Sequence, residues 1–267
     1  TDAYVRLIAP FIEKYSGATL VIKNEKGASG VVGRNNIWNA PKDGMTIGFS
    51  GVPGSLMGQL AGSEGVKYDT TKFTYLARVA TEPRVLFVSG KSKWNSVEDL
   101  KNSGRKLKLP SSGVGDDDFY TTSVLAKSFG LNIMQVTGYE NNADASLSVV
   151  KGDGDAREAS YSSSQGMFKS GDLKPIMFLW PERVKEYPNV PTALELARDD
   201  QTKEFINIIT TILEIDRVFF GPPGMDPERT KEWRAIIAKA VSDPDLISKT
   251  TEAKRPILFM PGEEVQK

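Results

Sequence analysis

The sequence predicts an α/β protein of two lobes, on three observations. Strand-like apolar runs alternate with helix-like segments along most of the chain. The length, 267 residues, is large for one core and comfortable for two. Two strand-like stretches, Arg84 to Val88 and Ile215 to Phe220, can each end one lobe or cross to the other. Crossings there give a discontinuous first lobe, 1–88 plus 219–267, and an inserted second lobe, 89–218. A ligand is then expected at the strand C-termini between the lobes, where α/β sites usually lie.

The elements follow in order. Tyr4, Val5, Leu7, Ile8, Phe11 and Ile12 stand near helical spacing and predict a helix over 3–15. Thr19 to Lys23 reads as a strand, and the stretch Gly27 to Gly30 opens a helix over about 31–40. Pro41-Lys42-Asp43-Gly44 is a turn, followed by a buried strand from Met45 to Ser50. Phe73 to Val79 and Arg84 to Val88 are further strands. Ser96 is placed to cap a short helix that begins at Val97. The strand Lys106 to Leu109 leads into the loop Pro110 to Gly115 and a helix near 117–129. A short strand, Met134 to Thr137, precedes a helix over about 142–151 that ends at Gly152. Then come strand Asp155 to Ala159, helix Ser162 to Lys169, strand Lys174 to Leu179 and, after Gly221-Pro222-Pro223-Gly224, helices over about 226–241 and 243–252.

Composition narrows the function. Lys+Arg and Asp+Glu are 34 each, which argues against a bulk electrostatic role on nucleic acid or anionic lipid. The chain has no Cys, which excludes disulfides, thiolate metal sites and Cys nucleophiles. It has no His, the commonest general base near neutral pH and the commonest metal ligand. No apolar run approaches the ~20 residues that span a bilayer. Asp43, Asp153 and Asp155 lack EF-hand spacing, so neither a metal nor a cofactor is expected.

Several motifs occur in an order that resembles one family. Ala40-Pro41-Lys42-Asp43-Gly44-Met45-Thr46-Ile47 is similar to a turn and strand written A-P-x-D-G-Y-T-L. Gly27 to Gly33 resembles G-A-G-G-x-x-G, and Ser111-Ser112-Gly113-Val114-Gly115 resembles S-S-G-x-G. Gly138 to Ala143 stands where P-Y-K-G-G-A is usual, and Gly152 to Asp155 resembles G-G-x-V-D. Tyr187 to Thr192 is similar to x-P-D-V-P-T, and Phe220 to Gly224 to F-A-P-A-G. Thr1-Asp2 matches the end of a G-G-x-T-D loop. The ordered set resembles the solute-binding proteins of tripartite tricarboxylate transporters, the TctC or Bug family.

The resemblance implies a type 2 periplasmic-binding-protein fold, with two α/β lobes, a hinge and an interdomain ligand cleft. It implies that a first strand and most of a Gly-rich loop precede Thr1, and that a signal peptide is removed or not shown. It implies an extracytoplasmic receptor that captures a small organic solute, a carboxylate by expectation, for membrane permease subunits. No catalysis, no nucleic acid and a monomeric state are expected. Two alternatives stay open: a ligand-sensing clamp for a signalling receptor, and an enzyme on the same fold using Asp117 and Glu158 as an acid/base pair.

The candidate ligand residues are Thr1, Asp2, Ser50, Gly51, Ser111, Ser112, Gly113, Val114, Gly115, Asp117, Asp155, Arg157 and Glu158. Thr1 and Asp2 can equally serve as a simple helix cap. In Ser111 to Gly115 the glycines let backbone approach a ligand, and a helix start follows. Two departures from the family pattern matter. Asp116-Asp117-Asp118 stands where small neutral residues are usual; the acids either favour the helix dipole or partly fill an anion site. Arg157-Glu158 stands where apolar residues are usual; the charges either pair with neighbours or reach the ligand. Arg217 is a weaker candidate near a crossing.

Overall fold

The computed structural model describes residues 2–25, 27–139, 141–253 and 255–267. The chain divides into two compact units, Thr1–Thr81 with Ile215–Lys267, and Glu82–Glu214. The division falls earlier than expected at both crossings. Arg84 to Val88, placed in the first lobe by sequence, pairs on both sides with strands of the second unit.

The first unit begins with α1 (Asp2–Ser16), which buries Tyr4, Ile8, Phe11 and Ile12 as its apolar spacing requires. α2 (Val31–Trp38), β1 (Gly48–Ser50), α3 (Pro53–Leu60) and β2 (Thr74–Arg78) follow. The second unit holds β3 (Arg84–Ser89), α4 (Val97–Lys101), β4 (Leu107–Pro110), α5 (Asp117–Phe129), β5 (Ile133–Val136) and α6 (Asn142–Lys151). It continues with β6 (Ala156–Ser160), α7 (Tyr161–Ser170), β7 (Leu173–Leu179), α8 (Ala193–Leu196) and α9 (Asp200–Glu214). The chain then returns to the first unit through β8 (Val218–Gly221), α10 (Pro227–Val241), α11 (Pro244–Glu252), β9 (Met260–Pro261) and α12 (Gly262–Gln266).

In the first unit an antiparallel sheet has the order β1-β8-β2-β9. Its main apolar cluster joins Ile8 and Ile12 of α1, Leu76 and Ala77 of β2, and Ile237 and Ala240 of α10. In the second unit β3 runs between β6 and β7, antiparallel to both, and β4 pairs with β5 in parallel. Val85 and Phe87 of β3 pack with Ala159, Phe168 and Phe178.

Three local expectations change. Thr19 to Lys23 is not a strand, and Val21 is 90% exposed. Its alternation suits an extended chain, but a ladder needs a neighbour, and none of the described residues pairs with it. α3 and α9 lie in stretches given no element from sequence. Pro53 opens α3 at a position that suits proline. Asp199 accepts the Thr202 N–H at 2.8 Å where α9 starts, and Ile206, Ile209 and Leu213 are its buried face.

Candidate functional site

The loop Ser111 to Gly115 joins β4 to α5. Its start is pinned: Ser111 is fully buried and donates its N–H to the Val136 carbonyl at 3.0 Å. Its end is a turn in which the Asp116 N–H donates to the Gly113 carbonyl at 3.2 Å. Gly115 has φ 102, a conformation that side chains resist. Between these anchors Val114 is 68% exposed, so the loop presents its tip and buries its base. Asp116 precedes α5 as its N-cap residue, and Asp117 and Asp118 lie in the first turn, where the helix dipole favours negative charge.

Two arginines of the second unit reach this helix start. In the β3–β6 register Arg84 faces Ser160, Leu86 faces Glu158 and Phe87 faces Arg157. Side chains alternate along a strand, so Arg84 and Glu158 share one face as diagonal neighbours. Arg157 points to the other face, that of Val85 and Phe87.

Arg84 donates from Nε to Glu158 Oε1 at 2.7 Å and from Nη2 to Glu158 Oε2 at 3.0 Å. Its Nη1 donates to Asp117 Oδ2 at 2.5 Å. Burial opposes charge on Arg84, but Asp117 and Glu158 outweigh it and hold the guanidinium well above its ordinary value. Burial pushes the Glu158 carboxyl up, to about 7, while Arg84 restrains the rise. The two effects pull the pair in opposite directions. The two-pronged donation by a group that keeps its proton favours the ionised pair.

Arg157 has no exposed surface. Its Nη1 donates to the Asn142 carbonyl at 2.9 Å and to Ser146 Oγ at 2.7 Å, and Ser146 meets Ser164 at 2.9 Å. Its Nη2 donates to Asp118 Oδ2 at 3.0 Å, to Ser112 Oγ at 3.3 Å and to Asn142 Oδ1. Burial pulls the guanidinium below its ordinary value, and Asp118 pulls it back. Asp118 Oδ2 also accepts the Ser112 N–H at 2.8 Å, with the Ser112 hydroxyl at 2.9 Å. The loop, α5, α6 and β6 are thus tied together by one ionic and polar network.

This geometry corrects part of the expected set. Arg157 and Glu158, expected against a ligand, are sealed inside the second unit with internal partners, because a buried charge must be paired. They support the loop rather than line it. Asp155 has its own partners: its carboxylate accepts from Arg105 at 2.5 and 2.8 Å and from the Lys108 N–H at 2.7 Å. It fastens the start of β6 to β4. Asp117 is 32% exposed in its side chain and shares Arg84.

Asp2, Ser50 and Gly51 belong to the first unit. Asp2 pairs with Arg6 and accepts from Asn24 at 2.9 Å on an exposed helix start. The Ser50 hydroxyl donates to the Gly51 carbonyl at 3.3 Å. A Cβ at Gly51 would stand 2.4 Å from Asp216 Oδ1, so a larger residue there would have to displace that carboxylate. Arg217, at φ 51, pairs with Asp216 and lies 5.7 Å from the Tyr4 ring centroid. Thr1 lies outside the described residues, as does Glu140.

Sequence reasoning missed Arg84, Asn142, Ser146 and Ser164. Arg84 carried a signal, a charge at the head of an apolar run; the serines carried none.

A family model for the tripartite tricarboxylate transporter family receptor matches residues 4–219. The chain belongs to this family. A UPF0065 protein of Pseudomonas sp. (strain P51) is 24% identical over 251 residues, covering 92% of this chain and 71% of that protein. The periplasmic binding protein BugD superposes with TM-score 0.78 at 20% identity, covering 100% of this chain and 87% of BugD. MatC of Rhodopseudomonas palustris, with bound malate, superposes with TM-score 0.75 at 19% identity, covering 94% of this chain and 83% of MatC. These structures share the α/β fold of periplasmic binding proteins, and the chain is a solute-binding protein of the receptor family. Among the described residues no helix is long and apolar enough to cross a membrane, and no cluster of acidic side chains could hold a metal ion.

Proposed function

We propose that this receptor captures a small organic acid outside the cytoplasm and delivers it to the membrane subunits of a tripartite transporter, acting as a monomer and catalysing nothing. The observation that carries the reading is the loop Ser111 to Gly115. Its base is fixed by Val136, Asp118 and Arg157, and Val114 at its tip is 68% exposed. A loop held at its base keeps its backbone in a set geometry, so little ordering cost remains when a solute arrives. MatC, of the same fold, is seen with malate, which fits a carboxylate as the group recognised.

The acid/base alternative fits poorly. Glu158 is fully buried and held at both oxygens by Arg84, so it has no path to a substrate. A thermal-shift and calorimetric screen with mono- and dicarboxylates, hydroxy acids and amino acids tests the proposal. Binding by the parent chain and its loss in Gly113→Trp, with the unfolding transition retained, is the expected result. Equal affinity in the variant removes the loop from the site; turnover of any bound acid removes the receptor role.

A further inference from the structure

Two donors converge on one oxygen of Asp118, and a third group stands beside it. The Ser112 N–H lies 2.8 Å from Oδ2 and Arg157 Nη2 3.0 Å; the Ser112 hydroxyl, with one hydrogen to give, is 2.9 Å from Oδ2 and 2.8 Å from Asn142 Oδ1. A backbone N–H, a hydroxyl and a guanidinium form the donor set that holds an external carboxylate. Here the carboxylate belongs to the chain, and Asp118 is buried at 2% exposure. Its second oxygen, Oδ1, has no hydrogen-bond partner, and neither do the buried Ser111 Oγ and Arg157 Nε beside it in sequence and network. The surroundings of Asp118 therefore hold more polar capacity than Asp118 uses.

The charge at this helix start is acidic on balance. Asp117, Asp118 and Glu158 stand against Arg84 and Arg157, and each arginine is paired with a buried carboxylate. The charge nearer solvent is that of Asp117. A further carboxylate brought there would meet the Asp117 charge, and among the described residues both arginines of this network are already paired.

We propose that Asp118 is a resident occupant of a carboxylate cradle built by Ser112 and Arg157. The solute accordingly meets this end of the loop with a hydrogen-bond donor, an ammonium or a hydroxyl, and acids bearing one are bound in preference to plain dicarboxylates. The cradle stands on its own geometry; the selectivity rests on the receptor reading above.

The test uses formate as the probe, on the whole chain. Asp118→Ala empties the cradle, so millimolar formate is expected to raise its melting temperature and to bind at least about tenfold more tightly than to the parent chain. Chloride at equal ionic strength is expected to do neither. If the variant does not fold in buffer, formate is expected to restore folding where chloride does not. A variant whose response to formate equals that of the parent overturns the cradle. On the parent chain, aspartate and malate are expected to bind at least about tenfold more tightly than succinate. Succinate binding as tightly overturns the selectivity. Formate uptake by Asp118→Ala while the parent binds no acid at all would sink the receptor reading and leave the cradle standing.

Discussion

The two units fill their interiors differently. In the first, Ile8, Ile12, Leu76, Ala77, Ile237 and Leu246 are buried to 1% exposure or less, and the buried Asp243 carboxylate reaches its cation, Lys14, at the surface. In the second, an apolar cluster around Val85, Phe87 and Phe178 lies beside Arg157 and Glu158, both without exposed surface, and Asp118 at 2%. An apolar interior is graded: each lost methylene costs a little, and neighbours partly relax. A buried ionic interior is closer to all-or-none, because removing one partner strands the other without water. The ionic interior lies behind the proposed ligand loop. That placement suggests what it does: it fixes backbone direction there, which apolar contacts specify less sharply.

The largest test of the contrast is Arg157→Met. It leaves Asp118 buried without its cation and is expected to destabilise the protein by about 3–5 kcal/mol in urea unfolding. Arg157→Met with Asp118→Leu is expected to recover part of that loss. A double variant no more stable than the single would show that the two do not act as a pair.

Next is the first unit's counterpart. Leu76→Ala opens a cavity in a side chain at 1% exposure and is expected to cost about 2–5 kcal/mol, while Leu76→Met stays below about 1.5 kcal/mol. The equally conservative Glu158→Gln, which removes only the charge facing Arg84, is expected to cost more than Leu76→Met. The reverse order would erase the distinction between the interiors.

The smallest effect is at the Asp243–Lys14 pair of the first unit. Hydrogen bonds from Lys14 and Tyr15 lower the Asp243 carboxyl from 3.8 to about 2. A depressed carboxyl contributes stability above its unfolded value and loses it as pH falls through the folded one. The stability gap between parent and Asp243→Asn is therefore expected at neutral pH and to close between about pH 4 and pH 2. A gap independent of pH would show that the charge is not its cause; capping is not lost, since the Asn amide oxygen can still accept the Asp245 N–H that Asp243 accepts at 2.9 Å.

Much of the architecture is legible in the residues. The apolar spacing of Tyr4 to Ile12 marks α1, Ser96 caps α4 through the Asp99 N–H, and Gly152 ends α6 in a left-handed conformation. These signals are local, and local rules read them. α9 was lost among polar residues although its buried face is periodic, and Thr19 to Lys23 was overread because alternation does not reveal a missing partner. At the site, the loop and its acids stood out as a departure from a family pattern. Which cation each acid meets did not.

The sequence by itself determined the alternation of elements, their caps, the absence of His and Cys chemistry, and an ordered set of motifs sufficient to expect the receptor family. These depend on neighbours a few residues apart, where chain geometry fixes who meets whom. The tertiary structure decided where the chain divides, that Arg157 and Glu158 face inward, and that Asp118 sits on Ser112 and Arg157. Arg84 and Glu158 are 74 positions apart, and Arg157 and Asp118 are 39 apart. Any Arg can pair with any nearby carboxylate, so nothing in the residue types chooses among them. The choice is made by strand register and helix packing, which set the distances over which charge acts.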